Sequence, residues 1–417
     1  MTDFTIDALG TLGHGIAKDA RGHPAYIPRT IPGERVEASG EAPHLDLDAV
    51  LEPSPDRIDP ICPHFERCGG CTFQHMSLTA QRAWKRSEVE RAFAKAGLKV
   101  EVAETIGNAP NSRRRVTMTA WREGGAIKLG YSEQGSTDRV PIQSCPILVP
   151  ELGAALGPLQ SVLATVLQGN AEARAHMTAA DNGIDVGIET SGEANEDTMA
   201  AMVRAFARSP FLRISVDGEV AAAREHPIIS FQGATVELPT GAFLQAVKSA
   251  EDAMLDLASR HLKKSKRVAD LFSGLGTFTF PLSANSKVHA VESDVAAVKA
   301  LHYAQRDGGK AVTSEIRDLI ELPLMPKELE AYDGVCLDPP RAGAAEQIAE
   351  IARTDIRRIA YISCNPVTQA RDVAVLVKAG WSIASITPVD QFVFSPHIES
   401  VALLEKLGAP KKRSIFR

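Results

Sequence analysis

The chain has 417 residues, 44% of them hydrophobic, six cysteines and a formal net charge of −6. That suits two or three folded domains and excludes disordered, collagen-like and fibrous proteins. Six cysteines are too few for a disulfide scaffold and point to a reduced cytoplasm, where clustered thiols serve metals or catalysis. No run nears the ~18 uncharged apolar residues of a membrane span, and the acidic start MTDFTIDALG is not read as a targeting peptide. Charge is uneven: −6 over residues 1–60, +5 over 61–150, −6 over 151–225 and +1 over 226–417. A globally basic nucleic-acid binder is excluded, and a local basic surface is not.

Residues 1–55 read as short strands (4–9, 25–27, 35–38) punctuated by glycines, which suggests a small β-barrel. PSPDRIDPICP (53–63), with four prolines, reads as a linker. Residues 77–96 read as an amphipathic helix with Ser77 as N-cap and Leu78, Trp84, Val89 and Phe93 on one side. VTMTAW and IKLGYS around EGGA predict a hairpin within 100–150. A helix over 151–170 and strands over 182–240 around a helix at 195–208 follow. From 241 the pattern changes to helix 243–262, strand 267–272, helix 276–284, strand 287–292, helix 294–306 and strand 311–316. Strand 332–337, helix 343–354, strand 357–362, helix 366–379 and terminal strands complete it. Alternating βα units predict a doubly wound α/β domain with a mostly parallel sheet.

Cys62, Cys68 and Cys71 are spaced C-x5-C-x2-C around Gly-Gly, and 73 residues separate Cys71 from Cys145. Adjacent glycines let the backbone wrap closely and donate N–H groups to sulfur. Four cysteines can hold zinc or an iron–sulfur cluster; three-plus-one spacing leans to the cluster. His64 and His75 read as bystanders.

RVADLFSGLGTFTFP (267–281) is an apolar strand ending in Asp270, then G-L-G and a helix start. The next strand ends in Glu292, placed to accept ribose hydroxyls, and the third is followed by Asp318. Together they fit an adenosine-containing ligand. NAD is disfavoured because Thr279 replaces the third glycine of its fingerprint. VCLDPPR places Asp338 after a buried strand, with two prolines stiffening the turn. IAYISCNP ends a further strand in Cys364, where a nucleophile belongs. Cys336 reads as core, and His397 and Glu399 precede a last apolar strand.

At these residues the sequence closely resembles the S-adenosylmethionine-dependent RNA uracil-C5 methyltransferases, which make 5-methyluridine in tRNA and 23S rRNA. GHGIAKD with IPGERVEA, LPTGAFLQA, DLFSGLGTF, DPPRAG, SCNPVTQARD and HIES match in order over nearly the whole chain. The resemblance implies a TRAM-like barrel over 1–55, a central iron–sulfur and RNA-binding domain over 56–240, and a Rossmann-like methyltransferase domain over 241–417. It implies that helix 77–96 packs on the last of these. The cysteine spacing resembles the rRNA-modifying branch, implying a [4Fe–4S] cluster on Cys62, Cys68, Cys71 and Cys145. Gln245, Phe272, Thr277, Glu292, Asp318 and Asp338 are implied to contact S-adenosylmethionine, with Cys364 as nucleophile and Glu399 as general base. The implied partner is RNA with a flipped-out uridine, 23S rRNA rather than tRNA; no membrane and no obligate protein partner are expected. Arg113, Arg114, Arg115, Lys85 and Arg86 are candidate phosphate contacts. The rivals are a tRNA enzyme, an RNA cytosine-C5 enzyme, a small-molecule methyltransferase and a noncatalytic iron–sulfur RNA-binding protein. Proline, not cysteine, after Asp338 argues for uracil.

Overall fold

The computed structural model describes residues 2–167, 171–190, 196–308 and 311–406. The N-terminal strands are β1 (Thr2–Thr5), β2 (Ala8–Leu9), β3 (Gly15–Lys18), β4 (Pro24–Ile27), β5 (Arg35–Glu41) and β6 (His44–Glu52). They form one sheet in the order β1-β5-β6-β4-β3-β2. Alternate residues turn inward, so Val36 and Ala38 meet Phe4, Ala17, Ala25 and Ile27 in a small core. The strand expected over 4–9 breaks after Thr5, because the Ile6 N–H turns away to Glu34 O at 2.9 Å. The proline-rich stretch expected to be a linker is fastened down. Arg57 grips the buried Glu34 carboxylate through Nε at 2.5 Å and Nη2 at 2.7 Å.

Helix α1 (Leu78–Lys95) matches expectation to within a residue at each end. Ser77 Oγ accepts the Ala80 N–H at 3.2 Å, a cap worth about 1 kcal/mol. Gln81 and Lys85 are buried beside Trp84, Val89 and Phe93, which is why the apolar spacing looks imperfect. Val89, Ala92 and Phe93 join the core of the C-terminal sheet. Trp84 meets Phe73 edge-on at 4.9 Å, in a separate cluster with Leu9, Ile31 and Met76. One helix therefore ties N-terminal, central and C-terminal parts together.

The central region holds β7 (Arg115–Glu123), β8 (Ala126–Ser132), β9 (Arg139–Pro141), α2 (Pro150–Ala154) and α3 (Leu156–Val166). It continues with β10 (Ala173–Ala180), β11 (Gly183–Thr190), α4 (Glu196–Phe206), β12 (Phe211–Val216) and β13 (Glu219–Ala223). Its sheet runs β13-β12-β11-β10-β7-β8-β9. The expected hairpin is there: Glu123 faces Ala126, and Gly124 and Gly125 supply the φ of 58° and 81° that a tight primed turn demands. Residues 168–170 of the expected 151–170 helix, and residue 195 of the expected 195–208 helix, lie outside the described residues. Strand β10 had no counterpart in the sequence reading; ARAHMTAA carries too few large side chains to show a period of two.

A hairpin, β14 (Ile228–Phe231) and β15 (Ala234–Glu237), leads to the C-terminal region. There follow α5 (Lys248–Leu262), β16 (Arg267–Leu271), α6 (Thr279–Leu282), β17 (Lys287–Glu292), α7 (Val295–Gly308), β18 (Val312–Ile316) and α8 (Pro326–Leu329). β19 (Gly334–Leu337), α9 (Ala345–Ile351), β20 (Arg358–Ser363), α10 (Pro366–Lys378), β21 (Ser382–Val389) and β22 (Glu399–Glu405) close the fold. The sheet order is β18-β17-β16-β19-β20-β22-β21. Its first five strands are parallel, and β22 runs antiparallel between β20 and β21. The chain reverses its direction of travel between β16 and β19, the crevice where such sheets bind ligands. The helix expected from 243 begins only at Lys248, because 243–247 is drawn into backbone pairing: the Arg114 N–H reaches Ala246 O at 2.8 Å. Among the described residues no helix is long and apolar enough to cross a membrane.

Candidate active site

Cys364 follows β20 and is half-buried at the sheet's carboxyl end. Asn365 caps α10, its Oδ1 accepting the Val367 N–H at 3.1 Å, and Pro366 opens the helix. The Asn365 Nδ2 donates to Arg341 O at 3.1 Å and Thr368 Oγ1 to the same oxygen at 3.2 Å. The DPPR turn and the cysteine turn are thus one rigid unit. Ser363 pairs with Ser400 across the antiparallel β20–β22 ladder, which brings Glu399 alongside the thiol.

Glu399 is only 4% exposed. Burial first, then the neighbouring Asp338, push its carboxyl well above the usual range, and Gln391 opposes them with a hydrogen bond. Burial also raises Asp338 to about 7, against a hydrogen bond from Gln245. Cys364 is pushed up to about 11 by burial, then by Glu399 and Asp338, with Arg341 pulling it down. Gln245 Nε2 donates to Asp338 Oδ2 at 2.9 Å. Gln391 Nε2 donates to Gln245 Oε1 at 2.9 Å and to Glu399 Oε1 at 3.2 Å. Gln245, Asp338, Cys364 and Glu399 therefore meet, as a catalytic cluster requires.

The donor half of the crevice lies at the ends of β16 and β17. Phe272 sits at a φ of 60°, strained for an aromatic residue. Gly274 has a φ of 52°, and a Cβ built there would meet nothing within 4 Å; the backbone is open to a ligand. A Cβ on Gly276 would strike Phe280 at 2.7 Å, so that glycine serves packing. Thr279 is not idle: its Oγ1 donates to buried Asp270 at 2.5 Å. Glu292 Oε1 accepts the Ser293 and Asp294 N–H groups at 2.7 and 2.9 Å, and Oε2 accepts that of Gly274 at 2.9 Å. A carboxylate offers about four lone-pair sites, so Oε2 retains capacity for a hydroxyl. Thr277 is half-buried in the same loop. Asp318 is exposed beyond β18, its Oδ1 accepting the Ile320 N–H at 2.9 Å.

A second pocket, of about 190 Å³, is walled by Cys62, Cys68, Cys71 and Cys145 with Arg113 and Tyr131. The Gly70 N–H points at Cys68 Sγ, 3.4 Å away. Burial, with smaller contributions from the other thiols, pushes Cys71 up to about 12 and Cys145 to about 11. Among the described residues no group of three or more His, Cys, Asp or Glu is drawn close enough for one metal ion. His64 accepts from the Gln143 N–H at 3.2 Å and His75 stacks on Phe65 at 5.7 Å; both have protein partners. The cysteine loop touches the catalytic side directly: the Thr72 and Phe73 N–H groups donate to Phe394 O at 2.7 and 3.0 Å.

The basic residues need correction. Lys85 is 0% exposed, ion-paired with Asp390 and donating to Phe392 O at 2.8 Å. Arg114 is buried against Glu251 at 2.5 Å and Gln245 O at 2.9 Å. Neither is available to phosphate. Arg86 pairs with Glu90 on the face of α1. Arg115 donates to Leu244 O at 2.7 Å and covers the Phe243 ring at 5.0 Å. Arg113 lies over Phe392 at 5.9 Å, between the two pockets. Cys336 is buried in β19, as expected of a core thiol. The sequence reading missed Gln391; its signal is a polar pair, Asp390-Gln391, interrupting an apolar run.

The family model described as tRNA (Uracil-5-)-methyltransferase matches residues 310–407. A protein of Mesorhizobium japonicum named an uncharacterized RNA methyltransferase is 42% identical over 98% of both chains. The 23S rRNA (uracil(1939)-C(5))-methyltransferase RlmD of Pectobacterium atrosepticum is 31% identical over 96% of this chain and 92% of its own. The tRNA (uracil-54, C5)-methyltransferase of Pyrococcus abyssi, solved with S-adenosyl-L-homocysteine, superposes with a TM-score of 0.76 at 21% identity, over 96% of this chain and 99% of its own. That last likeness shows a shared methyltransferase fold, and the sequence relatives show descent: this chain belongs to the RNA (uracil-C5)-methyltransferase family.

Proposed function

We propose that the chain methylates C5 of one uridine in 23S rRNA, in the cytoplasm, with S-adenosylmethionine as donor. The observation that carries this is a thiol and a buried carboxylate at adjacent strand ends, Cys364 and Glu399, beside a glycine loop open to a ligand. Uracil C5 is too weak a nucleophile to attack a sulfonium unaided. Addition of the Cys364 thiolate to C6 makes an enolate, whose C5 takes the methyl carbon while the donor leaves as a neutral thioether. Glu399 then removes the C5 proton, and the C6–S bond breaks to return the thiolate. The donor's positive sulfur and Arg341 offset the carboxylates that hold the thiol protonated. Phe272, Thr277, Glu292 and Asp318 line the donor's side, and Gln245 and Asp338 lie between donor and base. The target uridine leaves its stack to enter.

The four-thiol pocket fits a [4Fe–4S] cluster: thiols on several sides, an N–H aimed at sulfur, and more room than a single ion needs. Methyl transfer needs no electron, so the cluster's part is structural or RNA-positioning. The N-terminal sheet is read as a TRAM-like barrel and 56–240 as the cluster and RNA-holding domain.

RNA carrying 5-fluorouridine tests the mechanism, because fluorine blocks proton removal and should freeze a Cys364 adduct. Mass spectrometry of rRNA and tRNA from a strain lacking the protein tests the substrate; one 5-methyluridine should vanish from 23S rRNA. Its loss from tRNA instead would select the second reading, toward which the matching tRNA (Uracil-5-)-methyltransferase family model points. Replacing Cys62, Cys68, Cys71 or Cys145 singly should remove iron and the broad visible absorbance.

A further inference from the structure

We propose that Gln391 is a positioning residue that aims Glu399 at the C5 proton and fixes the amide of Gln245 toward Asp338. The proposal rests on the uracil-C5 reading above.

Gln391 is 2% exposed. Both amide protons are committed, to Glu399 Oε1 at 3.2 Å and Gln245 Oε1 at 2.9 Å. Its oxygen accepts the Val247 N–H at 3.2 Å. The side chain therefore acts through its neighbours. The chain Glu399–Gln391–Gln245–Asp338 is directional: a flip of Gln245 would set NH₂ against NH₂ and oxygen against carboxylate. The backbone on either side of Gln391 is clamped. The Asp390 N–H donates to Ile106 O at 2.8 Å, and Asn108 Nδ2 donates to Asp390 O at 2.9 Å. Lys85, on α1, holds the Asp390 carboxylate and Phe392 O. A loop joining two strands is ordinarily among the mobile parts of a fold; here both neighbours of Gln391 are held from outside the sheet.

The charged groups near Glu399 are Asp338 from β19 and Cys364 from β20, with Arg341 acting on the thiol. Glu251, which acts on Asp338, is itself paired with Arg114 and Lys248. Gln391 donates a neutral hydrogen bond to the ionised base, so removing it disfavours the form that accepts the proton.

The test measures single-turnover methylation against pH, and covalent protein–RNA adduct on ordinary RNA, for Gln391→Met, Glu399→Gln and the double variant. Gln391→Met should move the acid limb up by about one pH unit, a tenfold loss at fixed pH below it. Ordinary RNA should then accumulate as adduct. In the Glu399→Gln background the same change should add little, because both act on one step. Gln391→Glu, matched in shape, should shift the limb the same way. An unmoved limb with no adduct, or full additivity in the double variant, would overturn the proposal. A wild type forming no adduct with 5-fluorouridine RNA would overturn the uracil reading and this inference with it.

Discussion

Cys364 and Cys71 are both half-buried thiols beside a turn, yet their surroundings differ. Carboxylates of Glu399 and Asp338 face the first; other thiols face the second, with Arg113 in the same wall. Burial raises both, and each setting indicates what would lower them again. A thiol among acids needs a transient cation, such as a bound sulfonium. Thiols among thiols need a resident cation, such as iron, that displaces their protons. Cysteine identity alone distinguishes neither; the neighbours do.

The sharpest way to break this contrast is Cys364→Ala. It should cost on the order of 10⁴-fold or more in turnover while iron content and donor binding persist, as read by methyl transfer, iron assay and calorimetry. Loss of iron would mean that the two pockets are not separable. Glu399→Gln should cost about 10²–10⁴-fold and leave the RNA covalently attached, visible as a shifted band on denaturing gels. Its pH dependence has a definite sign. The carboxyl is raised, its ionised form is the proposed base, and activity should therefore fall on acidification sooner than an ordinary glutamate would allow.

Lys85 lies on α1, buried against Asp390. Lys85→Met leaves the Asp390 carboxylate buried without its cation, at a cost of about 3–5 kcal/mol, measurable by urea unfolding. Asp390→Leu in the same chain should recover much of that loss. Smallest is Ser77→Ala, about 1 kcal/mol by the same measurement, with turnover unchanged; a fall in turnover would show that α1 tunes the crevice more than it braces it.

The βα alternation from 241 and the strand-end residues were legible because parallel strands are continuous apolar runs and because Cys364, Asp338 and Glu399 sit next to prolines, glycines or a strand start. Charge misled where it was tertiary: Lys85 and Arg114 look like surface cations in one dimension, and only the fold supplies Asp390 and Glu251. Gln391 was hard to read for the opposite reason: a polar pair in an apolar run marks a buried polar site without naming its partners. Its three partners come from residues 245, 247 and 399, and no local pattern announces so distant a set.

Strand β22, the last in the sheet, is seated between β20 and β21. During synthesis β20 and its eventual outer neighbour β21 both emerge before the strand that separates them. Until residues 399–405 leave the ribosome, β20 lacks its antiparallel partner and Cys364 lacks the Glu399 carboxylate. Completion of the sheet is then also the step that sets Glu399 beside Cys364, so a chain ending before Glu399 would lack the carboxylate that raises this thiol.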